Sequence, residues 1–239
     1  MDIALLSMDG ALFLLRWIHF LAGVVWIGLL YYFNFVQGEW FKETEAGVKS
    51  AAIQKLVPRA LFWFRWGAMF TFLSGSAILV NKLGQAGMDL FTTTSWGIFI
   101  LTGGTLGTLM FLNVWLIIWP SQKVVIASAV QVAGGGAAIP EAAAKGAKAG
   151  LASRTNVLFS IPMLFFMGSA SHLPLGVSPD FNGWALLGVL AVIIGLLELN
   201  AIKGKTELNK TIQITTVKGV ISWGFVLAAV LYGVIEILT

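Results

Sequence analysis

The sequence has 239 residues, of which 58% are hydrophobic and only 11% are charged. Soluble domains carry about 25% charged residues, so these proportions exclude an ordinary soluble domain and predict an integral membrane protein. The net charge of +4 comes from Lys and Arg between the apolar segments. It therefore indicates membrane topology and contact with lipid headgroups, and not nucleic-acid binding. Cysteine is absent, which excludes disulfides, thiolate metal sites and covalently attached haem.

Six apolar segments are each long enough to cross a hydrocarbon core of about 30 Å. They cover residues 11–36, 57–80, 94–119, 157–173, 181–202 and 214–237. We therefore predict a single all-α domain over residues 1–239, an integral membrane helical bundle of about six transmembrane helices. The long cytoplasmic loop at about 120–154 is low in complexity and is interpreted as a spacer, in which residues 122–132 suit a short amphipathic helix and Pro140 suits the start of another.

Lys and Arg concentrate in the first, third and fifth loops of this bundle, and the fourth loop, 174–180, has none. Basic loops are retained in the cytoplasm, so we predict that both termini lie outside. The predicted location is a bacterial inner membrane, crossed several times. The sequence is compatible with a homo-oligomer and does not determine the oligomeric state.

The first segment carries Arg16, His19, Gly23 and Trp26 at spacings that place them on one helix face. An Arg and a His inside an apolar span are costly, so we expect them to face the protein interior. One interpretation is a haem held by His19 and lying flat against Gly23. The alternative is a buried His that hydrogen-bonds a neighbouring helix.

The second histidine, His172, ends the fourth segment on the same, outer side of the predicted topology as His19. Two histidines on different helices of one leaflet are what a b-type haem with two imidazole ligands requires. We therefore predict haem b, its iron held by His19 and His172, with Arg16, Gly23 and Trp26 around it. A contact from His172 to a propionate or a water is the alternative.

A second set of polar residues lies toward the predicted cytoplasmic half of the segments. The set includes Asn34, Arg59, Arg65, Asn113, Arg154, Asn156, Glu198 and Asn200, of which we predict that Arg65, Asn113, Arg154 and Asn156 form a binding site. Guanidinium, amide and aromatic groups together suit a planar anion, on which Trp66 or Trp115 would stack. Arg154 also lies where a long cationic side chain reaches lipid headgroups. Arg65 is too deep for that role, and its alternative is a structural pair with Glu198.

Several motifs follow one another along the chain. They are Arg16-Trp17-x-His19-Phe20-x-Ala22-Gly23-x-x-Trp26-Ile27-Gly28, Tyr31-Tyr32-Phe33-Asn34, Phe64-Arg65-Trp66, Met110-Phe111-Leu112-Asn113-Val114-Trp115, Trp119-Pro120-x-Gln122-Lys123, Ser153-Arg154-Thr155-Asn156 and Ser160-Ile161-Pro162-Met163. Together they resemble the membrane domain of the bacterial cytochrome c-linked urate oxidase (urate hydroxylase) family. The resemblance runs from the first segment through His172.

The resemblance implies an oxidoreductase that converts urate to 5-hydroxyisourate in purine breakdown, with electrons leaving through cytochrome c instead of to oxygen. That family usually carries a c-type cytochrome domain after the membrane part, and this sequence lacks the Cys residues that such a domain needs. A separate c-type cytochrome is therefore the expected electron acceptor. Two other functions stay open: a haem-binding electron-transfer or scaffold subunit without urate turnover, and an anion transporter.

Overall fold

The long elements of the protein are all helices, so the all-α fold class is confirmed. The computed structural model describes residues 3–178, 180–204 and 212–239, and no strand lies within these ranges. The helices are α1 (Met8–Tyr31), α2 (Gly38–Glu43), α3 (Ala46–Lys55), α4 (Val57–Ala86), α5 (Asp89–Thr92), α6 (Ser95–Leu112), α7 (Trp119–Ala133), α8 (Ala142–His172), α9 (Gly183–Lys203) and α10 (Val217–Leu238). A short 3₁₀ turn, Ala4–Leu6, precedes α1.

Two π-helical segments interrupt otherwise continuous helices. The first, Tyr32–Gln37, joins α1 to α2, and the second, Asn113–Ile118, joins α6 to α7. Each therefore lies inside one long rod, Met8–Glu43 or Ser95–Ala133. The sequence predicted helix at both places, and it did not distinguish the π form from the α form.

Polar caps fix where several of the long helices begin. The side chains of Ser7, Thr94, Asn182 and Thr216 accept hydrogen bonds from the backbone N–H three residues further on. Each bond satisfies one of the first N–H groups of a helix, which have no partner inside it. Helix α9 ends at Gly204, whose φ of 72° is left-handed and suits a residue without a side chain.

Five stretches of the described chain are long and apolar enough to cross a membrane, which suggests a multi-pass membrane protein. They are Met8–Glu43, Ser95–Ala133, Ala142–His172, Gly183–Lys203 and Val217–Leu238. The second of the six predicted segments is not among them. It forms α4, a 30-residue helix whose apolar run is diluted by Arg59, Arg65 and Lys82.

Helix α4 nevertheless packs antiparallel along the length of α1. Near the C-terminal end of the α1 rod, the ring of Phe33 meets the ring of Phe64 edge-on, with centroids 5.5 Å apart. Toward the N-terminal half of α1, His19 hydrogen-bonds Thr71, which lies further along α4. The two helices therefore run between the same two ends of the molecule.

Helix α8 is the central element of the bundle, and α6, α7, α9 and α10 all pack against it. Its buried residues include Phe159 and Phe166, whose side chains are fully covered by the chain. Gly103 of α6 lies against the Met163 carbonyl of α8, so these two helices approach closely. A side chain that α8 directs inward therefore reaches several helices at once.

Most of the stretch 120–154 is helical, which corrects the interpretation of this stretch as a spacer loop. Helix α7 and the first turns of α8 form a hairpin that is closed by residues 134–141. The Ser128 hydroxyl accepts a hydrogen bond from the backbone N–H of Ile139 at 3.0 Å, and Val125 lies against Gly146. The stretch is therefore a packed helical hairpin.

The two ends of the bundle differ in charge. At one end the backbone N–H of Ser178 donates to the Thr239 carbonyl at 2.8 Å, which places the C-terminus beside the loop that has no Lys or Arg. At the other end Arg154 pairs with Glu39, and Lys148 lies against Gly204. The basic loops described here thus gather at one end of the molecule.

Candidate functional site

Three polar side chains form a hydrogen-bonded group inside the bundle, here named the amide–carboxylate cluster: Asn113, Asn156 and Glu198. The Asn113 side-chain amide donates to Asn156 Oδ1 at 2.9 Å and to Glu198 Oε2 at 3.2 Å. Asn156 in turn donates to the backbone carbonyl of Met110 at 3.0 Å. The structure thus brings together two of the predicted site residues and adds a carboxylate to them.

The π-helical segments direct asparagines at α8. Asn113 is the first residue of the second segment, and Asn34 lies in the first. The Asn34 amide donates to the Leu30 carbonyl at 2.8 Å and to the Ser153 hydroxyl of α8 at 2.7 Å. Single π turns inside α-helices occur frequently at functional sites. Both segments therefore lead to the same stretch of α8, which contains Ser153 and Asn156.

Arg65 lies among aromatic rings, and we name this second group the arginine–tryptophan group. The guanidinium carbon lies 3.9 Å from the centroid of the Trp119 ring, which is a close cation–π contact, and 5.9 Å from that of Trp115. Trp66 meets Trp115 edge-on with centroids 5.7 Å apart. Arg65 Nε and Trp115 Nε1 are buried, and neither has a hydrogen-bond partner among the described residues.

The two groups lie on opposite faces of one helical segment. Asn113 and Trp115 are two residues apart, and Asn113 contacts α8 and α9 whereas Trp115 contacts α4. The predicted anion site is therefore divided into two parts in this structure. Glu198 accepts its hydrogen bond from Asn113, and the ion pairs within the described ranges do not include Arg65.

Arg154 belongs to neither group. Its Nη2 donates to Glu39 Oε1 at 3.2 Å, and Glu39 also binds Lys42 at 2.7 Å. The Arg154 side chain is 11% exposed, so it points into the protein and not outward to lipid headgroups. It ties α8 to α2 at the basic end of the bundle.

His19 hydrogen-bonds the neighbouring helix α4, as the alternative interpretation of this residue expected. Its Nδ1 donates to the Thr71 carbonyl at 2.9 Å and lies 3.2 Å from the Ser74 hydroxyl, so neither of these contacts uses Nε2. A backbone carbonyl that accepts from one ring nitrogen orients the other for a metal. The ring packs against Gly75, and a side chain there would clash with it, since its Cβ would lie 2.9 Å from His19 Cε1. These residues fit one axial ligand of a haem.

The other residues predicted around the haem lie in different surroundings. Gly23 faces Thr71 of α4 on the His19 side, and Trp26 is buried with no hydrogen-bond partner for Nε1 in the described structure. Arg16 is exposed on the surface of the isolated chain. His172 is also exposed, at the last residue of α8.

Stretches that suit membrane crossing, with Asn113, Asn156 and Glu198 buried between them, suggest a multi-pass membrane protein with polar groups in its interior. Residues 83–230 match the urate oxidase N-terminal family. The match covers more than half of the chain, so the protein belongs to this family. No curated protein and no solved structure matches the chain. The matched stretch includes the amide–carboxylate cluster and His172, and it begins after Arg65 and His19.

Three residues that were not among the predicted site residues make contacts at these sites. They are Trp119, Glu39 and Glu198. Trp119 has a signal in the sequence, because it follows Trp115 by four residues and therefore shares its helix face. Glu39 lies in a turn of helix beyond the predicted end of the first segment. The partner of Glu198 depends on how α9 is rotated against α8, and the sequence does not specify that rotation.

Proposed function

We propose that this protein is a membrane-bound oxidoreductase that oxidises urate to 5-hydroxyisourate in purine breakdown and passes the electrons to a separate c-type cytochrome. Membership of the urate oxidase N-terminal family supports the class of reaction. The substrate assignment rests on the surroundings of the Arg65 side chain. Its guanidinium is stacked on Trp119, and its Nε is buried without a hydrogen-bond partner in the described structure.

A urate monoanion suits the arginine–tryptophan group in charge and in shape. Arg65 is partly buried on a helix that we propose crosses the membrane. A guanidinium there without an anionic partner is costly, and a bound anion offsets that cost. The Arg65 fork donates parallel hydrogen bonds to adjacent acceptors, which the planar edge of a purine ring offers. Trp115 supplies a flat apolar wall beside the guanidinium, Trp66 meets that ring edge-on, and Trp115 Nε1 is a further donor.

In this mechanism Arg65 binds and orients the anion, and the tryptophans exclude water from it. Asn113 and Asn156 do not contact the substrate directly, because their amides are already bonded to each other, to Glu198 and to Met110. Arg154 holds the basic end of the bundle together through Glu39. The residues that we propose contact the substrate are therefore fewer than the site residues predicted from the sequence.

The proposed cofactor is haem b. His19 would hold it through Nε2, and His172 is the proposed second ligand. A haem supplies reversible one-electron chemistry, which a two-electron oxidation with a cytochrome as acceptor requires. The residues of this chain orient the ligand: the Thr71 carbonyl fixes the His19 ring through Nδ1.

The proposed setting is the bacterial inner membrane, with α4 as a sixth span and both termini on the outer side. The basic end then faces the cytoplasm, and Arg65, on the half of α4 nearer that end, takes its substrate from there. The end that carries Thr239 meets the separate cytochrome. This orientation rests on the grouping of Lys and Arg.

The test is urate-dependent reduction of a soluble c-type cytochrome by the purified protein, without oxygen, in wild type and Arg65→Gln. Loss of a charge-assisted hydrogen bond costs about 1.5–3 kcal/mol, so we expect the rate at low urate to fall about 10- to 100-fold. Arg59→Gln is the matched control, because Arg59 is exposed on the same helix and donates only to the Lys55 carbonyl. The control should keep the wild-type rate.

Equal loss in both variants would remove Arg65 from the substrate site. A wild-type protein that carries haem and fails to oxidise urate would instead be an electron-transfer or scaffold subunit. Urate uptake into vesicles without any oxidation would identify an anion transporter. The last two outcomes would each assign one of the alternative functions that the sequence left open.

A further inference from the structure

Glu198 is the one buried carboxylate among the described residues. Glu198 is 6% exposed, and it lies inside α9, one of the five stretches that suit membrane crossing. The proposed substrate site does not use it. An ionisable side chain inside a membrane span is costly and is therefore expected to have a function.

The contacts of Glu198 are to neutral groups. Asn113 donates one N–H to Oε2 at 3.2 Å, and an amide donor stabilises a carboxylate without neutralising its charge. Asn156 holds Asn113 in place and is itself 0% exposed. The two asparagines thus form a closed, rigid setting around one oxygen of the carboxylate.

Cations on the elements packed against α9 are directed elsewhere. Helix α6 and the second π-helical segment contain no ionisable residue. On α8, Arg154 pairs with Glu39, Lys148 lies against Gly204, and Lys145 and His172 are exposed. The remaining ionisable residues, on α10 and α9 itself, are Lys218 and Lys203, both exposed, and Glu236, which hydrogen-bonds Tyr232.

We propose that Glu198 is a proton-binding site, and that it takes up the proton released when urate is oxidised at the arginine–tryptophan group. A proton is the ligand that fits, because it needs no cavity and it removes the charge from a carboxylate that lacks a cationic neighbour in the described structure. The two places share one helical segment, since Asn113, which donates to Glu198, and Trp115 lie two residues apart on its opposite faces. This proposal rests on the proposed function.

The stoichiometry requires such an acceptor. The urate monoanion and one water give neutral 5-hydroxyisourate, one proton and two electrons. The new C–O bond comes from the water, the two electrons go to the c-type cytochrome, and the proton converts the Glu198 carboxylate to a carboxylic acid. The carboxylate is restored when that proton passes to solution.

The first experiment observes the carboxyl group directly and needs no urate. Infrared difference spectra of the purified protein are recorded as the pH is raised in steps. We expect a protonated-carboxyl C=O band that disappears with rising pH in wild type and is missing in Glu198→Gln, whose amide oxygen still accepts from Asn113. Glu236→Gln is the control, because it removes an exposed carboxylate and should retain the band. Identical spectra from wild type and Glu198→Gln would overturn the proposal.

The second experiment follows a single turnover with a pH-indicator dye in weak buffer. In wild type, the proton should appear in solution after the cytochrome is reduced, and Glu198→Gln should abolish this delay. A wild-type protein that releases the proton together with the electrons would overturn the coupling. A wild-type protein that oxidises no urate would refute the proposed function, and the infrared titration would still decide whether Glu198 binds a proton.

Discussion

His19 is held by one turn of α4, and the shape of that turn decides what the ring can bind. The Thr71 carbonyl accepts from Nδ1, and the ring lies against Gly75, where an added Cβ would be 2.9 Å from Cε1. His172 has no comparable setting, since it is exposed at the end of α8. The protein therefore orients His19 more firmly than His172, although both were predicted from the sequence as ligands of the haem iron.

We expect the absorption spectrum of the purified protein to contain the Soret band of a bound haem, and His19→Ala to abolish it because the oriented ligand is lost. His172→Ala should shift the band without removing the cofactor, as loss of a second axial ligand does. The haem content per chain, measured alongside the spectra, distinguishes a variant that has lost the haem from one whose Soret band is only shifted. A wild-type protein without a Soret band, or a band unchanged in His19→Ala, contradicts the haem proposal.

The sequence identified most polar residues of the interior and did not identify their partners. Asn113 and Asn156 were expected in one site and do bond each other. Arg65 was expected beside them and instead stacks on Trp119. Polarity inside an apolar span can be read from the sequence, but a side-chain partner depends on the rotation of each helix about its axis, which is set by packing over the whole helix.

At the scale of helices, the close contact of α1 with α4 depends on Gly67. An added Cβ there would lie 3.1 Å from the backbone nitrogen of Trp26 and 3.2 Å from the Ala22 carbonyl. Backbone atoms cannot move aside as a side chain does, so the two helices would have to separate. Such overpacking costs about 1–3 kcal/mol.

We therefore expect Gly67→Ala to lower the free energy of unfolding by about 1–3 kcal/mol, measured by denaturant unfolding in detergent micelles. Gly28→Ala on α1 is the matched control, because no atom lies within 4 Å of a Cβ built there. That control should leave stability unchanged or raise it slightly, since Ala favours helix over Gly. Equal stability of the two variants would mean that α1 and α4 are not in close contact at Gly67.

The sequence predicted where helices exist and was less able to predict how far they continue. The predicted segment 181–202 agrees closely with α9, which begins and ends with clear capping residues. The stretch 120–154 was assigned to a loop with short helices in it, and its helices instead continue the long rods Ser95–Ala133 and Ala142–His172. The π-helical segments have no composition of their own, because they differ from α-helix only in which carbonyl each N–H bonds.

For the molecule as a whole, the gathering of basic loops at one end predicts its orientation in the membrane. A reporter fused after Thr239 should be active outside the cytoplasm, and one inserted within residues 134–141 should be active inside. A third reporter, inserted at Gly87 just after α4, should also be active outside, because α4 then crosses the membrane as the sixth span. A cytoplasmic signal at Thr239 would reverse the orientation, and one at Gly87 would make α4 a helix that does not cross.

The antiparallel packing of α1 on α4 separates the two proposed reaction centres along the membrane normal. Arg65 lies ten residues before Gly75, the neighbour of His19, which corresponds to about 15 Å of helix, or roughly half of the hydrocarbon thickness. With the basic end in the cytoplasm, each electron moves outward across that distance, away from the negative side. Turnover is then electrogenic, and the resting potential assists it, by roughly 1 kcal/mol per electron for each 100 mV. Urate breakdown by this protein would accordingly dissipate membrane voltage instead of building it.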